Sequence, residues 1–183
     1  MKQGGFLTVE TWSPEDTRAF GAALAQSLSA GDFLALDGEL ASGKTCLVQG
    51  LAAGLGCPGA ATSPTFTLLH IYEGGRLPLY HFDVYRLSAP EELEGIGYEE
   101  YFYGDGVCAV EWSELTAAYL PTRRIGIAME RIWRDGGQEA ETEEPSGKEE
   151  CRTEGRRITV TPFGGDESWR GALLQRVSQL VQR

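Results

Sequence analysis

The sequence predicts a single α/β domain, residues 1–183, built on a mixed β-sheet, and three observations lead to that prediction. The chain has 183 residues, of which 42% are hydrophobic and 23% charged, so it can bury a core without disulfide or metal staples. Apolar runs of strand length alternate with amphipathic helical patterns in the first half. Strand patterns dominate the second half. This combination favours helices packed on a sheet of parallel and antiparallel strands.

Caps and periodicity predict the first elements. Ser13 is a predicted N-cap because a proline and two acids follow it, and an apolar stripe then leads toward Gly31, the predicted end of the helix. The continuous apolar run 33–36 predicts a strand buried on both faces. A helical period begins at Lys44, and Gly56 is placed to end that second helix.

Most of the remaining predicted elements are strands. Two aromatic or alternating runs flank a Glu-Gly-Gly-Arg turn, which is a hairpin signal. A later compact apolar run ends in a glutamate, and two further strand patterns flank an acidic segment. The predicted elements are strands at 65–72, 77–85, 107–110, 124–133 and 157–162, a short helix that starts at 90, and a closing helix at 169–181.

The charge of the chain is strongly negative and unevenly distributed. Sixteen basic and 27 acidic residues give a net charge of -11, which disfavours binding of nucleic acid or anionic lipid through bulk charge. Residues 135–155 alone carry eight acids and two bases, a net of -6. Because this segment lacks hydrophobic periodicity, we expect it to form a mobile acidic loop. The acidity therefore still allows a small local pocket for a nucleotide.

The cysteines and the amino terminus favour a reduced, cytoplasmic protein. The four cysteines form no CxxC pair, and no histidine stands near them at metal-ligand spacing. The first ten residues lack the apolar run of a signal peptide, and no stretch approaches the roughly 20 apolar residues that span a bilayer. We expect a cytoplasmic location and no membrane contact.

Residues 38–45, GELASGKT, match the phosphate-binding pattern GxxxxGK[ST]. The motif follows a predicted buried strand and opens a predicted helix, so backbone N–H groups and the helix N-terminus can surround a phosphate. In that geometry Lys44 bridges the β- and γ-phosphates, and the Thr45 hydroxyl is a ligand for Mg²⁺. Ala41 stands where many such loops have glycine, which costs about 1 kcal/mol or more if the position needs a positive φ.

Three further segments carry polar groups that could complete this site. Glu111 ends an apolar strand, as a metal-binding acid of a phosphate-loop protein does, although an ordinary strand-end glutamate fits the pattern too. Asp83 shares a strand face with His81, and either a functional carboxylate, a buried ion pair or a solvated edge explains that face. The hydroxyls of Ser63 and Thr65 could sense a γ-phosphate or could simply cap and start a strand.

Four segments, GELASGKT, SPTFTL, HFDVYR and VCAVEW, resemble the TsaE (YjeE) family in order and spacing, over residues 13–121. The resemblance implies a P-loop NTPase-type, three-layer fold with a mixed, mostly parallel central sheet. It also implies a Mg²⁺-dependent ATPase that serves threonylcarbamoyladenosine synthesis beside the tRNA anticodon and acts with the TsaB and TsaD subunits. The tRNA would then be an indirect partner.

The resemblance also implies roles for residues at matching positions. The phosphate contacts fall on Lys44 and on the backbone of Leu40, Ala41, Ser42, Gly43 and Thr45. Thr45 and Glu111 would hold Mg²⁺, and Asp83 would assist hydrolysis. Functional positions of the family also fall on Ser63, Thr65 and Trp112, and adenine would approach the segment from Ser13 to Thr17. Where the family reads GDLGAGKT, this chain departs at Glu39, Ala41 and Ser42.

Two other functions remain open on the sequence. A small-molecule kinase would need an acceptor pocket, to which the arginines at 123, 124, 131 and 134 could contribute. A non-hydrolysing module would use ATP only to shape a partner-binding surface. For the favoured ATPase, the cation that neutralises the transition state could be Arg86 in cis or a group from a partner.

Overall fold

The computed structural model describes residues 5–59, 64, 67–135 and 152–181. Seven strands form one sheet: β1 (Leu7–Thr11), β2 (Phe33–Gly38), β3 (Leu69–Tyr72), β4 (Leu79–Asp83), β5 (Val107–Glu111), β6 (Arg124–Asp135) and β7 (Arg152–Phe163). Their order in the sheet is β1-β7-β6-β2-β5-β4-β3. The four strands β6, β2, β5 and β4 run parallel, and the pairs β1–β7, β7–β6 and β4–β3 at the two sides are antiparallel.

Helices cover both faces of this sheet. The helices are α1 (Pro14–Ala25), α2 (Lys44–Leu55), α3 (Glu92–Gly95), α4 (Glu99–Phe102) and α5 (Glu167–Val181), with a short 3₁₀ helix at Ser113–Thr116. The larger buried cluster packs α1, α2 and α5 on one face, whereas a smaller aromatic cluster packs α3 and α4 on the other. The predicted three-layer α/β architecture with a mixed sheet, parallel at its centre, is confirmed.

The parallel centre of the sheet positions the functional groups. Buried on both faces, β2 and β5 are continuous apolar runs, as the sequence predicts. Because β2, β4 and β5 run in the same direction, their carboxyl ends meet at one edge of the sheet, beside the middle of β6. Open α/β sheets bind their ligands at such an edge. The segment 38–45 leaves β2 at this edge and enters α2.

The first helix begins as predicted but ends early. The Ser13 side chain accepts a hydrogen bond from the Asp16 N–H at 3.0 Å, which caps α1. The last residue of α1 is Ala25 and not Gly31. Residues 26–28 continue in tighter turns, and the Asp32 carboxylate accepts the Ser29 N–H at 2.8 Å. The Asp32 carboxylate thus accepts an N–H group that a helical carbonyl oxygen would otherwise accept, and the helix does not continue to Gly31.

Two strands, β1 and β3, differ from the sequence prediction. β1 has no counterpart among the predicted elements, and its exposed alternate positions explain the weak signal. β3 begins at Leu69 and not at 65, because the N–H groups of Thr67 and Leu68 both bond to the Pro64 carbonyl and form a turn.

The predicted acidic loop at 135–155 is wrong at both ends. Residue Asp135 still belongs to β6 and pairs with Arg152, the first residue of β7. This part of the hairpin is largely exposed on both faces, so backbone pairing holds it and no apolar alternation marks it. The prediction of mobility concerns residues 136–151, which lie outside the described residues.

The structure also describes three of the four cysteines and the helices. Cys46, Cys57 and Cys108 are free thiols. Of the helices in the described ranges, none is both long enough and apolar enough to cross a membrane.

Candidate functional site

The segment 38–45 is a tight loop whose two outer glycines are required by geometry. Gly38 has a φ of 143°, and a Cβ atom there would lie 2.2 Å from the Met129 carbonyl oxygen. Gly43 has a φ of 101° and caps the N-terminus of α2. Neither conformation suits an L side chain. The loop therefore turns directly into α2, whose first N–H groups face the edge of the sheet where the parallel strands end.

Two residues of the loop carry an energetic cost: Ala41 through its backbone conformation and Ser42 through its buried hydroxyl. Ala41 has a φ of 62°, so the strained left-handed conformation considered from the sequence is present. The Ser42 hydroxyl is completely buried and has no hydrogen-bond partner among the described residues. Leu40, by contrast, is 70% exposed at the tip of the loop.

Lys44 is folded back onto its own loop. Its Nζ donates hydrogen bonds to the carbonyl oxygens of Gly38 at 2.6 Å and Glu39 at 3.0 Å. The same ammonium group lies 3.7 Å from the centroid of the Trp112 ring. Burial lowers the pKa of Lys44, and the negative charge of Glu111 opposes that shift. The charge is therefore held at the mouth of the loop by weak acceptors that a phosphate can replace.

Thr45 and Glu111 meet, although 66 residues separate them in the sequence. The Thr45 hydroxyl lies 2.9 Å and 3.1 Å from the two carboxylate oxygens of Glu111. The Nε2 atom of His81 lies 2.9 Å from Glu111 Oε1, and His81 is completely buried. The other ring nitrogen of His81 has no partner among the described residues. The sequence placed His81 on the polar face of its strand but did not single it out.

Asp83 lies beside this cluster on the same face of the sheet. It pairs in register with Glu111 across the parallel strands β4 and β5, and both side chains are at most 4% exposed. One Asp83 oxygen accepts the N–H of Tyr85 at 3.2 Å. The negative charge of Asp83 acts on Lys44. The structure therefore brings together the two carboxylates that the sequence selected.

A second acidic group at the loop is not apparent in the sequence. Asp37, the residue before Gly38, accepts hydrogen bonds from the Ser113 hydroxyl at 2.6 Å and the Glu114 N–H at 3.1 Å. Burial, followed by a hydrogen bond to Asp37, raises the pKa of Glu114 to about 7. These contacts fasten the 3₁₀ helix to the base of the loop. The sequence signal for these contacts is that Asp37 directly follows the apolar run 33–36, and Ser113 and Glu114 lie shortly after the apolar run 107–110.

Trp112 joins the loop to the segment after β4. Its φ is 62°, and its N–H donates to the Leu36 carbonyl at 2.9 Å. Its ring contacts both Lys44 and the Tyr85 ring, whose centroid is 4.8 Å away. Arg86, the next residue, is exposed. The structure thus places Trp112 against the loop and Arg86 at the nearby surface.

The remaining predicted residues divide into two groups. Ser13 and Thr17 lie at the start of α1, and their hydroxyls make local hydrogen bonds: Ser13 caps the helix and Thr17 bonds to Thr11 at 2.8 Å. The start of α1 lies next to the start of α2, because the Cys46 thiol donates to the Pro14 carbonyl at 3.1 Å. Ser63 and Thr65 lie outside the described residues.

The donor set at Thr45 and Glu111 fits a magnesium ion. Mg²⁺ prefers oxygen ligands and usually takes only one or two from protein, with water and phosphate oxygens completing the shell. The hydroxyl and carboxylate supply that type and number. Within residues 5–59, 64, 67–135 and 152–181, no group of three or more His, Cys, Asp or Glu side chains is placed to hold an ion. The site therefore suits an ion that arrives with a nucleotide.

The fold and these contacts define a class of protein. A glycine loop joins a buried parallel strand to a helix, with a lysine and a threonine at the helix start and a carboxylate from the neighbouring strand. This is the arrangement of P-loop nucleotide-binding proteins. The chain belongs to the TsaE family, because the model of that family, "Threonylcarbamoyl adenosine biosynthesis protein TsaE", matches residues 11–138.

Individual relatives agree with this assignment. A tRNA threonylcarbamoyladenosine biosynthesis protein TsaE of Treponema pallidum is 48% identical over 127 residues, which are 69% of this chain and 93% of the relative. A protein of the same name from Bacillus subtilis is 44% identical over 135 residues, 74% of this chain and 82% of the relative. The crystal structure of Bacillus subtilis YdiB superposes with a TM-score of 0.70 at 33% identity and covers 96% of this chain and 95% of that one.

Proposed function

We propose that this protein is a Mg²⁺-dependent ATPase of tRNA threonylcarbamoyladenosine synthesis, which hydrolyses ATP to cycle a complex of the TsaB and TsaD subunits in the cytoplasm. The observation that carries the ATPase proposal is the contact between Thr45 and Glu111 directly beside Lys44. The names of the family and of its relatives support the pathway. TsaB and TsaD enter through the resemblance of the sequence motifs alone.

The phosphate loop binds the nucleotide by replacing contacts that it now makes internally. The N–H groups of residues 40–45 and the N-terminus of α2 surround the β-phosphate, and Lys44 exchanges two carbonyl oxygens for phosphate oxygens. A charge-assisted hydrogen bond to phosphate is stronger than one to a neutral carbonyl. Thr45 and Glu111 would hold Mg²⁺, which neutralises negative charge on the phosphates when it is bound.

Asp83 and Glu111 are the groups that can orient the attacking water. Both carboxylates are buried at the edge of the sheet and face the loop, where a hydrogen bond can fix a water in line with the γ-phosphate. We assign metal binding to Glu111, because Thr45 touches it, and water orientation to Asp83. The His81 side chain holds Glu111 in position through the contact between its Nε2 atom and Glu111 Oε1. Arg86 or a cation from a partner would complete the neutralisation of the transition state.

The charge around the site supports an indirect relation to tRNA. Residues 87–122 contain eight acids and no lysine, arginine or histidine, and this stretch includes Glu111 and Glu114 beside the loop. Such a surface repels a phosphate backbone, whereas the loop can still bind one nucleotide through local N–H groups. Contacts with tRNA are therefore assigned to the partner subunits.

The decisive experiment is phosphate release from ATP with and without TsaB and TsaD. We expect weak release by the protein alone and a large stimulation by the partners, since a supplied arginine is worth about 10³–10⁵ in rate in related NTPases. Release without any acceptor also separates an ATPase from a small-molecule kinase. An absence of stimulation would remove the support for the partner assignment.

Three variants test the assigned roles. Lys44→Ala is expected to abolish tight nucleotide binding. Glu111→Gln is expected to retain partner binding and lose turnover, because the neutral amide is a poorer Mg²⁺ ligand. Asp83→Asn is expected to retain nucleotide binding and lose turnover. Glu10→Gln is the matched control, since Glu10 pairs with Arg157 on β1, away from the loop. Equal, measurable turnover in Glu111→Gln and Glu10→Gln would contradict the role assigned to Glu111, whereas an absence of turnover in the unsubstituted protein would favour a non-hydrolysing module.

The kinase has less support from the arrangement of its candidate arginines. Arg123 bonds to Asp32 at 3.0 Å near the start of β6. The loop lies beside the middle of β6, because Gly38 pairs with Met129. Arg131 lies near the loop, 3.8 Å from the carboxylate of Glu39. The four arginines are therefore spread along β6 and the residue before it, and they do not form one acceptor pocket.

A further inference from the structure

An arginine of β7, Arg156, lies against the phosphate loop. Its Nη2 atom is 3.4 Å from the Ala41 carbonyl oxygen, and a Cβ atom built on Gly43 would lie 3.5 Å from its Nε. The side chain is only 22% exposed, and its Nη1 atom bonds to Glu154 at 3.0 Å. No sequence pattern marks this residue, because 115 residues separate it from Ala41.

The position of Arg156 is on the far side of the loop from the carboxylates. β5 and β4, which carry Glu111 and Asp83, lie on one side of β2, whereas β6 and β7 lie on the other. Arg156 therefore approaches the loop from the side opposite the proposed γ-phosphate and metal groups. Burial raises the pKa of the Cys46 thiol, and the positive charges of Arg18 and Arg156 act in the opposite direction. Cys46 directly follows Thr45, so the charge of Arg156 reaches the first turn of α2.

The contacts that hold Arg156 are ones that a phosphate can replace. The carbonyl oxygens of Ala41 at 3.4 Å and Gly155 at 3.0 Å are neutral acceptors, and Glu154 is 44% exposed, so solvent screens that ion pair. A guanidinium group binds phosphate oxygens through two parallel hydrogen bonds, which are stronger than hydrogen bonds to neutral carbonyl oxygens. Because the N-terminus of α2 already favours an anion there, the two positive fields add.

We propose that Arg156 is a nucleotide-binding residue that contacts the phosphates nearest the ribose, and that it acts on nucleotide affinity and not on the chemical step. This inference rests on the proposed nucleotide site. Arg156 would then be the cation on the adenosine side of the loop, and it would be a different group from any cation that neutralises the γ-phosphate.

The test compares Arg156→Gln with Arg157→Gln in the full chain. The two substitutions remove the same charge from neighbouring positions of one strand, but Arg157 pairs with Glu10 and Glu130 on the other face. Titration with ADP is expected to show about tenfold or more weaker binding for Arg156→Gln, the loss typical of one charge-assisted hydrogen bond, and little change for Arg157→Gln. Equal ADP affinity of the two variants would overturn the inference.

Two further measurements separate phosphate binding from a purely structural tether. Arg156→Lys keeps the positive charge but cannot form two parallel hydrogen bonds, so it should bind ADP more tightly than Arg156→Gln and less tightly than the unsubstituted protein. Equal ADP affinities of Arg156→Lys and Arg156→Gln would contradict phosphate binding. In hydrolysis assays Arg156→Gln should raise KM and leave kcat nearly unchanged. A fall in kcat alone would contradict the assigned position. If the wild type binds no nucleotide, the proposed function itself fails, whereas wild-type binding with no Arg156 effect rejects only this inference.

Discussion

The buried hydroxyl of Ser42 has no hydrogen-bond partner among the described residues, and this predicts that its removal stabilises the fold. Ser42 and Ser113 are both completely buried serines beside the loop. The Ser113 hydroxyl donates to the Asp37 carboxylate at 2.6 Å, whereas the Ser42 hydroxyl has no partner among the described residues. A buried polar group without a partner costs about 1–3 kcal/mol, and a hydrogen bond to a charged group contributes about 1.5–3 kcal/mol. The same change to alanine should therefore have opposite effects at the two positions.

We expect Ser42→Ala to raise the free energy of unfolding by about 1 kcal/mol and Ser113→Ala to lower it by about 2 kcal/mol. In a chain of this size 1 kcal/mol corresponds to a Tm change of about 2–4 °C. Urea unfolding is measured without nucleotide, because a bound ligand would add its own stabilisation. A destabilised Ser42→Ala, or a Ser113→Ala protein as stable as Ser42→Ala, would refute the reasoning.

Three other predictions follow from the structure. Gly38→Ala should lower the free energy of unfolding by about 2 kcal/mol or more, because its Cβ atom would lie 2.2 Å from a backbone carbonyl oxygen. The control is Gly171→Ala on α5, where a Cβ atom meets nothing within 4 Å, and it should be neutral or stabilising in the same unfolding assay. The folded state raises the pKa of Glu114 from 4.5 to about 7, so stability falls as pH rises from about 4.5 to about 7. Glu114→Gln should flatten that fall, and parallel pH profiles of the two proteins would contradict this. His81→Leu should require more Mg²⁺ for half-maximal turnover than His81→Gln, which can still donate to Glu111, and equal requirements would show that no donor is needed.

Local sequence signals predicted the elements that depend on neighbouring residues. The N-cap at Ser13, the strand before Gly38 and the αL glycine after α2 were correctly predicted because capping and periodicity are properties of short segments. The same signals failed where a side chain or a turn intervened, as Asp32 does after α1. They failed again in the exposed arm of β6 and β7, where backbone pairing replaces hydrophobic alternation.

By itself the sequence determined the phosphate loop, the family resemblance and the two carboxylates that could serve the loop. Only the tertiary structure decided which groups meet: Thr45 with Glu111, Asp37 with Ser113, and the loop with Arg156. The physical reason is the order of the strands. The mixed sheet brings together segments that are 66 to 115 residues apart, and no local pattern records which strand lies beside which.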